Sequence, residues 1–355
     1  MDSEGEAPRK VEEIIANAQK ARASDIHFQT RDGTAQISFR IDGVMTPIGE
    51  LEADIQERVF GRIKYLAKLK TYQESLPQDG RIQKSDVGSK HDIRVATYPT
   101  VTGEKIVLRL FSEVADRNLD ELEFSDGIFQ ELKQFLRGNS GLLLLTGPAG
   151  SGKTTTIYAC VRYLAAMGGR HIITIEDPAE QIIEGVMQTE VNEARGLTFA
   201  KAARHLLRQD PQILVIGEIR DDETACIAVR AAMTGHMVIS TLHAGSCKGV
   251  YERLLMMCED RFAVISSVAL ILNQILIRRL CAACQGDGCD LCFKTGYCGR
   301  VPIVEWYKSD DAKRRHIRSL GAEAVKPDQA ISKSAREVLE MGLSDLQEYK
   351  RVCGL

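Results

Sequence analysis

The eight residues Gly147-Pro148-Ala149-Gly150-Ser151-Gly152-Lys153-Thr154 stand between an unbroken apolar run at 142–145 and a stretch in which Ile157, Val161 and Leu164 recur at helical spacing. No other feature constrains the fold as tightly, because it demands a buried strand, a glycine-rich turn and a helix in that order. The glycines let backbone N–H groups turn toward phosphate oxygens, and the N-terminus of the helix adds a favourable dipole. Gly147, Pro148, Ala149, Gly150, Ser151, Gly152, Lys153, Thr154 and Thr155 are therefore expected to hold a nucleotide. Lys153 is expected to reach the β- and γ-phosphates, and the Thr154 hydroxyl to sit on Mg²⁺. A chance glycine-rich turn is the alternative, and the strand–helix setting argues against it.

Further short apolar runs at 172–175, 213–216 and 237–239 alternate with helical stretches, which predicts a buried parallel sheet wrapped by helices. The run Ile213-Leu214-Val215-Ile216-Gly217-Glu218 ends in a carboxylate. Beside a phosphate loop, Glu218 is expected near the γ-phosphate or its Mg²⁺. A second strand ends in Glu176-Asp177-Pro178-Ala179-Glu180, three carboxylates that are costly to hold together without a neutralising partner. Thr234-Gly235-His236 and Ser240-Thr241-Leu242-His243 bracket another strand, where each imidazole can either sense phosphate or serve the structure.

The first hundred residues read as a small α/β unit. Val11, Ile14, Ile15 and Ala18 predict an opening helix, and a second runs from about Ile55 to Leu69. Alternation predicts strands around Ile26 and Phe28, around Ile37, Phe39 and Ile41, at 92–97 and at 105–111, with turns at Asp42-Gly43 and Thr102-Gly103. A mixed sheet is expected. The polar stretch at 112–126 reads as a linker. The implied division is 1–112, a linker at 113–126, and 127–355 carrying the Cys-rich segment 280–300 and a polar helical tail from about Asp328.

The 355 residues, 44% hydrophobic and 27% charged, have the composition of an ordinary globular protein, and the net charge of −3 offers no general attraction to nucleic acid. The opening Met1-Asp2-Ser3-Glu4-Gly5-Glu6 lacks the apolar core of a secretory signal, and no apolar run approaches the ~20 residues of a membrane span. A cytoplasmic protein, touching the inner membrane only through partners, is the expectation. Of ten cysteines, five lie between Cys281 and Cys298. Cys281-Ala282-Ala283-Cys284 and Cys289-Asp290-Leu291-Cys292 form two Cys-x-x-Cys pairs, with Gly286 and Gly288 in the short spacer to allow a sharp reversal. Four thiolates so placed suit Zn²⁺, with an iron–sulfur cluster or free thiols as rivals. Cys298 is left as a spare ligand or a free thiol.

Taken in order, these motifs resemble those of the type II secretion and type IV pilus assembly ATPases, a family that includes pilus and competence pseudopilus motors. In the N-terminal part the resemblance rests on Ala23-Ser24-Asp25-Ile26-His27, Phe39-Arg40-Ile41-Asp42-Gly43, Gln78-Asp79-Gly80-Arg81, Ile93-Arg94-Val95 and the segment 99–109. In the second part it rests on an aspartate box at 176–180, a Walker B segment from Arg208 to Asp221, a histidine box at 234–243, the run Gln274-Ile275-Leu276-Ile277-Arg278-Arg279-Leu280, and Gly296-Tyr297-Cys298-Gly299-Arg300. The resemblance implies an N-terminal PAS-like α/β domain followed by a RecA-like P-loop ATPase domain with a tetracysteine zinc-binding insertion. It implies a homohexamer using ATP, Mg²⁺ and Zn²⁺, acting on an inner-membrane platform protein without binding nucleic acid directly. It assigns catalysis to Glu180 as favoured base, with Glu218, Lys153 and His243, and places Arg94, Arg109 and Arg81 near the phosphates. Thr154 and Glu218 are the implied magnesium ligands, and Cys281, Cys284, Cys289 and Cys292 the zinc ligands.

The chain departs from the pattern at Gln212, usually an acid; at Ala244-Gly245-Ser246, where a Thr is common after the histidine; in the short spacer between the knuckles; and in starting where the family's second domain starts. Retraction motors generally lack the knuckles, which favours an assembly-type motor. A DNA- or cargo-moving relative of type IV secretion and a hydrolysis-poor ring scaffold are the alternatives. The sequence does not separate Glu180 from Glu218 as the base.

Overall fold

The computed structural model describes residues 5–89, 91–110 and 117–354, so the last residue of the strand expected at 105–111 and the first part of the linker expected at 113–126 lie outside the described residues. The chain divides into two units, Met1–Glu113 with Leu280–Gly299, and Val114–Arg279 with Arg300–Leu355.

In the first unit, α1 (Glu6–Lys20) buries Ala7, Val11, Ile14, Ile15 and Ala18 on one stripe. Strands β1 (Asp25–Arg31), β2 (Thr34–Ile41) and β3 (Val44–Leu51) precede α2 (Ala53–Leu66), and β4 (Gln78–Ile82), β5 (Ile93–Thr100) and β6 (Gly103–Leu110) follow it. Asp42 and Gly43 both take positive φ (49° and 86°), the backbone of a two-residue hairpin turn joining β2 to β3. The sheet runs β3-β2-β1-β6-β5-β4. Every strand pair in it is antiparallel, which corrects the expectation of a mixed sheet. Tight hairpins make three of the five pairings, β1–β2, β2–β3 and β5–β6, and a hairpin can only pair antiparallel. Ile26, Phe28, Ile37, Phe39, Val95, Ile106 and Leu108 form the core with the two helices. The edge strands β3 and β4 went unread because β3 is largely exposed and contains Pro47, and β4 contains Gly80, so neither shows a clear apolar period.

The second unit opens with α3 (Asp126–Arg137), β7 (Gly141–Thr146) and α4 (Lys153–Met167). It continues through β8 (Ile172–Glu176), β9 (Met187–Glu190), α5 (Phe199–Leu206), β10 (Ile213–Ile219), α6 (Asp222–Met233), β11 (Met237–Leu242), α7 (Cys247–Met257) and α8 (Arg261–Ser267). The long strands β12 (Val268–Leu280) and β13 (Tyr297–Lys308) precede α9 (Asp311–Leu320), α10 (Ile331–Glu340) and α11 (Leu346–Cys353). The sheet order is β13-β12-β7-β11-β10-β8-β9, and the pairs β12–β7, β7–β11, β11–β10, β10–β8 and β8–β9 are parallel.

The apolar runs are continuous because both faces are covered. Leu142 and Leu144 of β7 join one core with α5 to α8, while Leu143 and Leu145 join the other with α3 and α4. Each parallel strand therefore delivers its C-terminal residues to one edge of the sheet, where loops and helix N-termini gather.

Candidate nucleotide site and cysteine cluster

The loop at 147–152 is shaped by close approach as much as by flexibility. Gly147 sits at φ 131°, and a Cβ there would lie 2.1 Å from the carbonyl oxygen of Gln274 on β12. The Gln274 side chain completes the clamp: its Nε2 donates to Ser151 O (2.8 Å) and its Oε1 accepts from Thr156 Oγ1 (2.9 Å). Arg300 donates to Gly150 O at 3.1 Å. Lys153 and Thr154 open α4, and Lys153 Nζ reaches back to the carbonyl oxygens of Gly147 (2.9 Å) and Pro148 (2.8 Å). Burial lowers the lysine's pKa, and the nearby charge of Glu218 works against that shift.

Lys153, Thr154, Tyr158, Glu180, Glu218, Arg220 and His243 line one cavity of about 200 Å³. Glu218 lies at the end of β10, with His243 Nε2 2.9 Å from its Oε1 and Arg220 Nε 2.9 Å from its Oε2. Arg220 also reaches Asp177 at 3.2 Å. The Thr241 hydroxyl donates to Gly217 O at 2.8 Å, tying β11 to β10 just below Glu218. The two histidines of the 234–243 segment therefore differ: His236 Nδ1 bonds Ala231 O (3.0 Å) at the end of α6, and only His243 reaches the cavity.

The three acids after β8 are equally distinct. Glu176 is buried and accepts from Tyr158, from Thr174 Oγ1 (2.5 Å) and from Gln188 Nε2 (3.0 Å). Asp177 has Arg220. The Glu180 carboxylate accepts no hydrogen bond among the described residues. Protein around it and the charge of Glu176 push its pKa up. At the unusual position 212, the Gln212 amide oxygen accepts from His171 N (2.5 Å), joining the starts of β8 and β10.

In the first unit the arginines form a register line. Arg40, Asp25, Arg109, Arg94 and Arg81 pair successively across β2, β1, β6, β5 and β4, so all five share one face of the sheet. Asp25 is buried and accepts from Arg109 (3.0 Å), with Arg40 at 3.2 Å. Burial works to raise its pKa, but these cations and the Ser24 hydroxyl hold it below the usual value. Arg81 pairs with Asp92 at 2.7 Å.

The segment 280–299 groups with this first unit: Phe293 packs on its core and Gly299 N donates to Asp42 at 2.8 Å. The sulfurs of Cys281, Cys284, Cys289 and Cys292 lie within 4.8 Å of one another. Cys281–Cys289, Cys284–Cys292 and Cys289–Cys292 are 3.9, 3.8 and 3.7 Å apart. A tetrahedron with Zn–S bonds of about 2.3 Å has edges of about 3.8 Å, so the donor set fits that ion. Gly288 N donates to Cys284 Sγ (3.2 Å), and Cys289 N and Gly296 N donate to Cys292 Sγ (3.1 and 3.3 Å). Burial acts upward on Cys292, but those two N–H groups and the neighbouring thiols bring its pKa down to about 6. Gly286 and Gly288 take φ 105° and 86°, the reversal expected of the spacer. Cys298 lies outside the cluster and meets the Arg22 guanidinium.

The family model described as "Type II/IV secretion system protein" matches residues 1–351. The chain belongs to this family. It is 38% identical to the type II secretion system protein E of Pseudomonas aeruginosa, an alignment covering 99% of this chain and 77% of that protein. It is 36% identical to the type IV pilus assembly ATPase PilB of Thermus thermophilus, over 99% of this chain and 42% of the relative. Among solved structures, the pilus retraction motor PilT with bound ADP superposes with a TM-score of 0.63 at 27% identity, covering 95% of each chain. The Legionella pneumophila ATPase DotB gives 0.74 at 22% identity, over 97% of this chain and 95% of that one, a likeness of fold. The resemblance read from the motifs is thus borne out. Sequence reasoning gave no role to Tyr158, Gln274, Arg220 or Arg300. The last three stood inside quoted family motifs, but what they touch depends on strands distant in sequence.

Proposed function

We propose that the chain is an ATPase whose hydrolysis powers assembly of a type II secretion pseudopilus or a type IV pilus. The observation that carries this reading is the single cavity where the head of α4, with Lys153 and Thr154, meets Glu218, His243 and Glu180 from three strand ends. Backbone N–H groups of the loop and the Lys153 ammonium bind and orient the phosphates. Thr154 and Glu218 are the residues that would hold Mg²⁺, which supplies charge neutralisation on the β- and γ-phosphates when bound. His243 and Arg220 fix the Glu218 carboxylate in place. Glu180, the acid with an uncommitted carboxylate and a raised pKa, is the better candidate for accepting a proton from the attacking water. Four cysteines would hold one structural Zn²⁺. A hexamer, an integral-membrane platform as partner and a place at the cytoplasmic side of the inner membrane complete the proposal. No helix among the described residues is long and apolar enough to cross a membrane, in keeping with attachment through a partner.

Steady-state phosphate release by the purified full chain tests the assignment. Lys153→Ala should reduce turnover to background while leaving the fold intact. Near-normal turnover in that variant would refute the site. Stimulation by the cytoplasmic domain of a platform protein is the expected behaviour, whereas stimulation by DNA instead would transfer the chain to the DNA-moving branch. A particle mass of six chains by light scattering is expected in the presence of nucleotide.

A further inference from the structure

Tyr158 lies four residues beyond Thr154 on α4, on the same face of the helix and one turn deeper. Its ring is buried, only 4% exposed, yet its hydroxyl makes three polar contacts. It donates to the Glu176 carboxylate, and it accepts from the backbone N–H groups of Glu180 (2.9 Å) and Gln181 (3.3 Å). One donor and two lone pairs are all a phenol has, so the group is saturated. Burial and the adjacent Glu176 push its pKa well above the ordinary tyrosine value, which keeps the proton on the phenol and the donor in place. Gln188 on β9 supports the same loop from the other side: its Oε1 accepts from Ile183 N (2.6 Å) and its Nε2 donates to Gln181 O (2.8 Å) as well as to Glu176.

Glu176 is therefore the anchor of a closed network, and the main chain at 180–183 hangs from it through Tyr158 and Gln188. We propose that Tyr158 is a positioning residue for hydrolysis: its hydroxyl links the nucleotide-binding helix α4 to the backbone of Glu180 and so fixes where that carboxylate stands. This rests on the reading of Glu180 as the proton acceptor. Among the described residues none hydrogen-bonds the Glu180 carboxylate, so its placement depends on the backbone that carries it. The same link helps α4 and the acid-bearing loop move as one piece: the Tyr158 hydroxyl ties the helix that carries Lys153 and Thr154 to the Glu180 backbone, while Arg162 of α4 holds the neighbouring Gln181 side chain at 3.0 Å.

The experiment compares Tyr158→Phe, Glu180→Gln and the double variant in the full chain, with kcat, the KM for ATP and thermal melting measured for each. Phenylalanine keeps the ring and removes only the three polar contacts. The expected result is a kcat for Tyr158→Phe lowered roughly tenfold or more, the scale of a misplaced catalytic group, with KM within about twofold since α4 still binds the phosphates. The decisive readout is the cycle: a residue acting through Glu180 has nothing further to lose in the Glu180→Gln background, so the double variant should be no slower than Glu180→Gln alone. Gln188→Met, which removes the other tether and leaves the tyrosine untouched, should lower kcat in the same direction, and serves as the test if Tyr158→Phe melts too low to assay. Wild-type kcat in Tyr158→Phe beside a slow Glu180→Gln, or losses that multiply in the double variant, would overturn the inference. A Glu180→Gln variant at full rate would instead overturn the assignment of Glu180 itself.

Discussion

Three carboxylates leave β8 within five residues, and their surroundings assign them different work. Glu176 is saturated by a phenol, a threonine and a glutamine; Asp177 answers Arg220; Glu180 is left to the cavity. Glu218 is the contrasting case, an acid gripped by a histidine and an arginine. Glu218→Gln should lower kcat by on the order of a hundredfold while ATP binding survives, because the loop and Lys153 supply most of the phosphate attraction. Single-turnover kinetics and nucleotide titration of the same preparation check the two halves of that statement, and lost binding would contradict it. The loop itself is tested at Gly147. An alanine there meets Gln274 O at 2.1 Å in a backbone region alanine avoids. Strain of about 1–3 kcal/mol should fall on the bound conformation, so ATP affinity should drop roughly tenfold or more, read by fluorescent-nucleotide titration.

At the scale of an element, the cysteine segment and the last helix each have a polar anchor that can be tested by itself. Cys284→Ser should release the metal and lower the melting temperature of the first unit, because ligand binding energy is folding energy in a segment this short. Metal analysis of protein purified without added zinc should find about one ion per chain, and a metal-free preparation of full stability would refute the site. Helix α11 is anchored by Glu348, which is fully buried and accepts from Arg278 N (2.9 Å) and from the Arg278 and Arg351 guanidiniums (2.8 and 2.6 Å). Burial alone would raise its pKa, yet those donors lower it to about 2. A depressed folded-state value stabilises the fold above the ordinary carboxyl range, and that contribution is lost as pH falls from about 4.5 to about 2. Glu348→Gln should therefore destabilise α11 by about 3 kcal/mol at neutral pH, and the gap from wild type should close over that acid window in a pH series of melting curves.

For the whole molecule, the question is whether the first unit takes part in turnover. Four arginines and Asp25 stand in register across five of its strands, with Arg40 and Arg109 on Asp25 and Arg81 on Asp92. Arg94 and Arg109 are proposed to contribute to hydrolysis, as the family resemblance implies. Arg94→Ala and Arg109→Ala in the full chain should then each lower kcat by roughly a hundredfold to a thousandfold, with ATP affinity changed far less. Unchanged rates would reduce the row to ion pairs on a sheet surface, worth under about 1 kcal/mol each.

The nucleotide loop, the acid-ended strands, the doubly covered parallel sheet and the Cys pairs can all be read from the chain of residues alone. Each is local: a glycine spacing, an apolar run bounded by polar residues, two knuckles eight residues apart. The sequence also carried the family, because motifs survive as strings. The tertiary structure alone decided which partners those strings meet. His243 and His236 look alike in sequence, and only the register of β11 against β10 puts one in the cavity and the other on a helix end. Tyr158 reads as one more apolar position of α4 until the β8–β9 connection folds over its hydroxyl. Gln274 lies 127 residues from Gly147 in the chain and touches it only because β12 pairs with β7. The edge strands β3 and β4 form because neighbours offer unpaired backbone groups, a reason that leaves no apolar period to read.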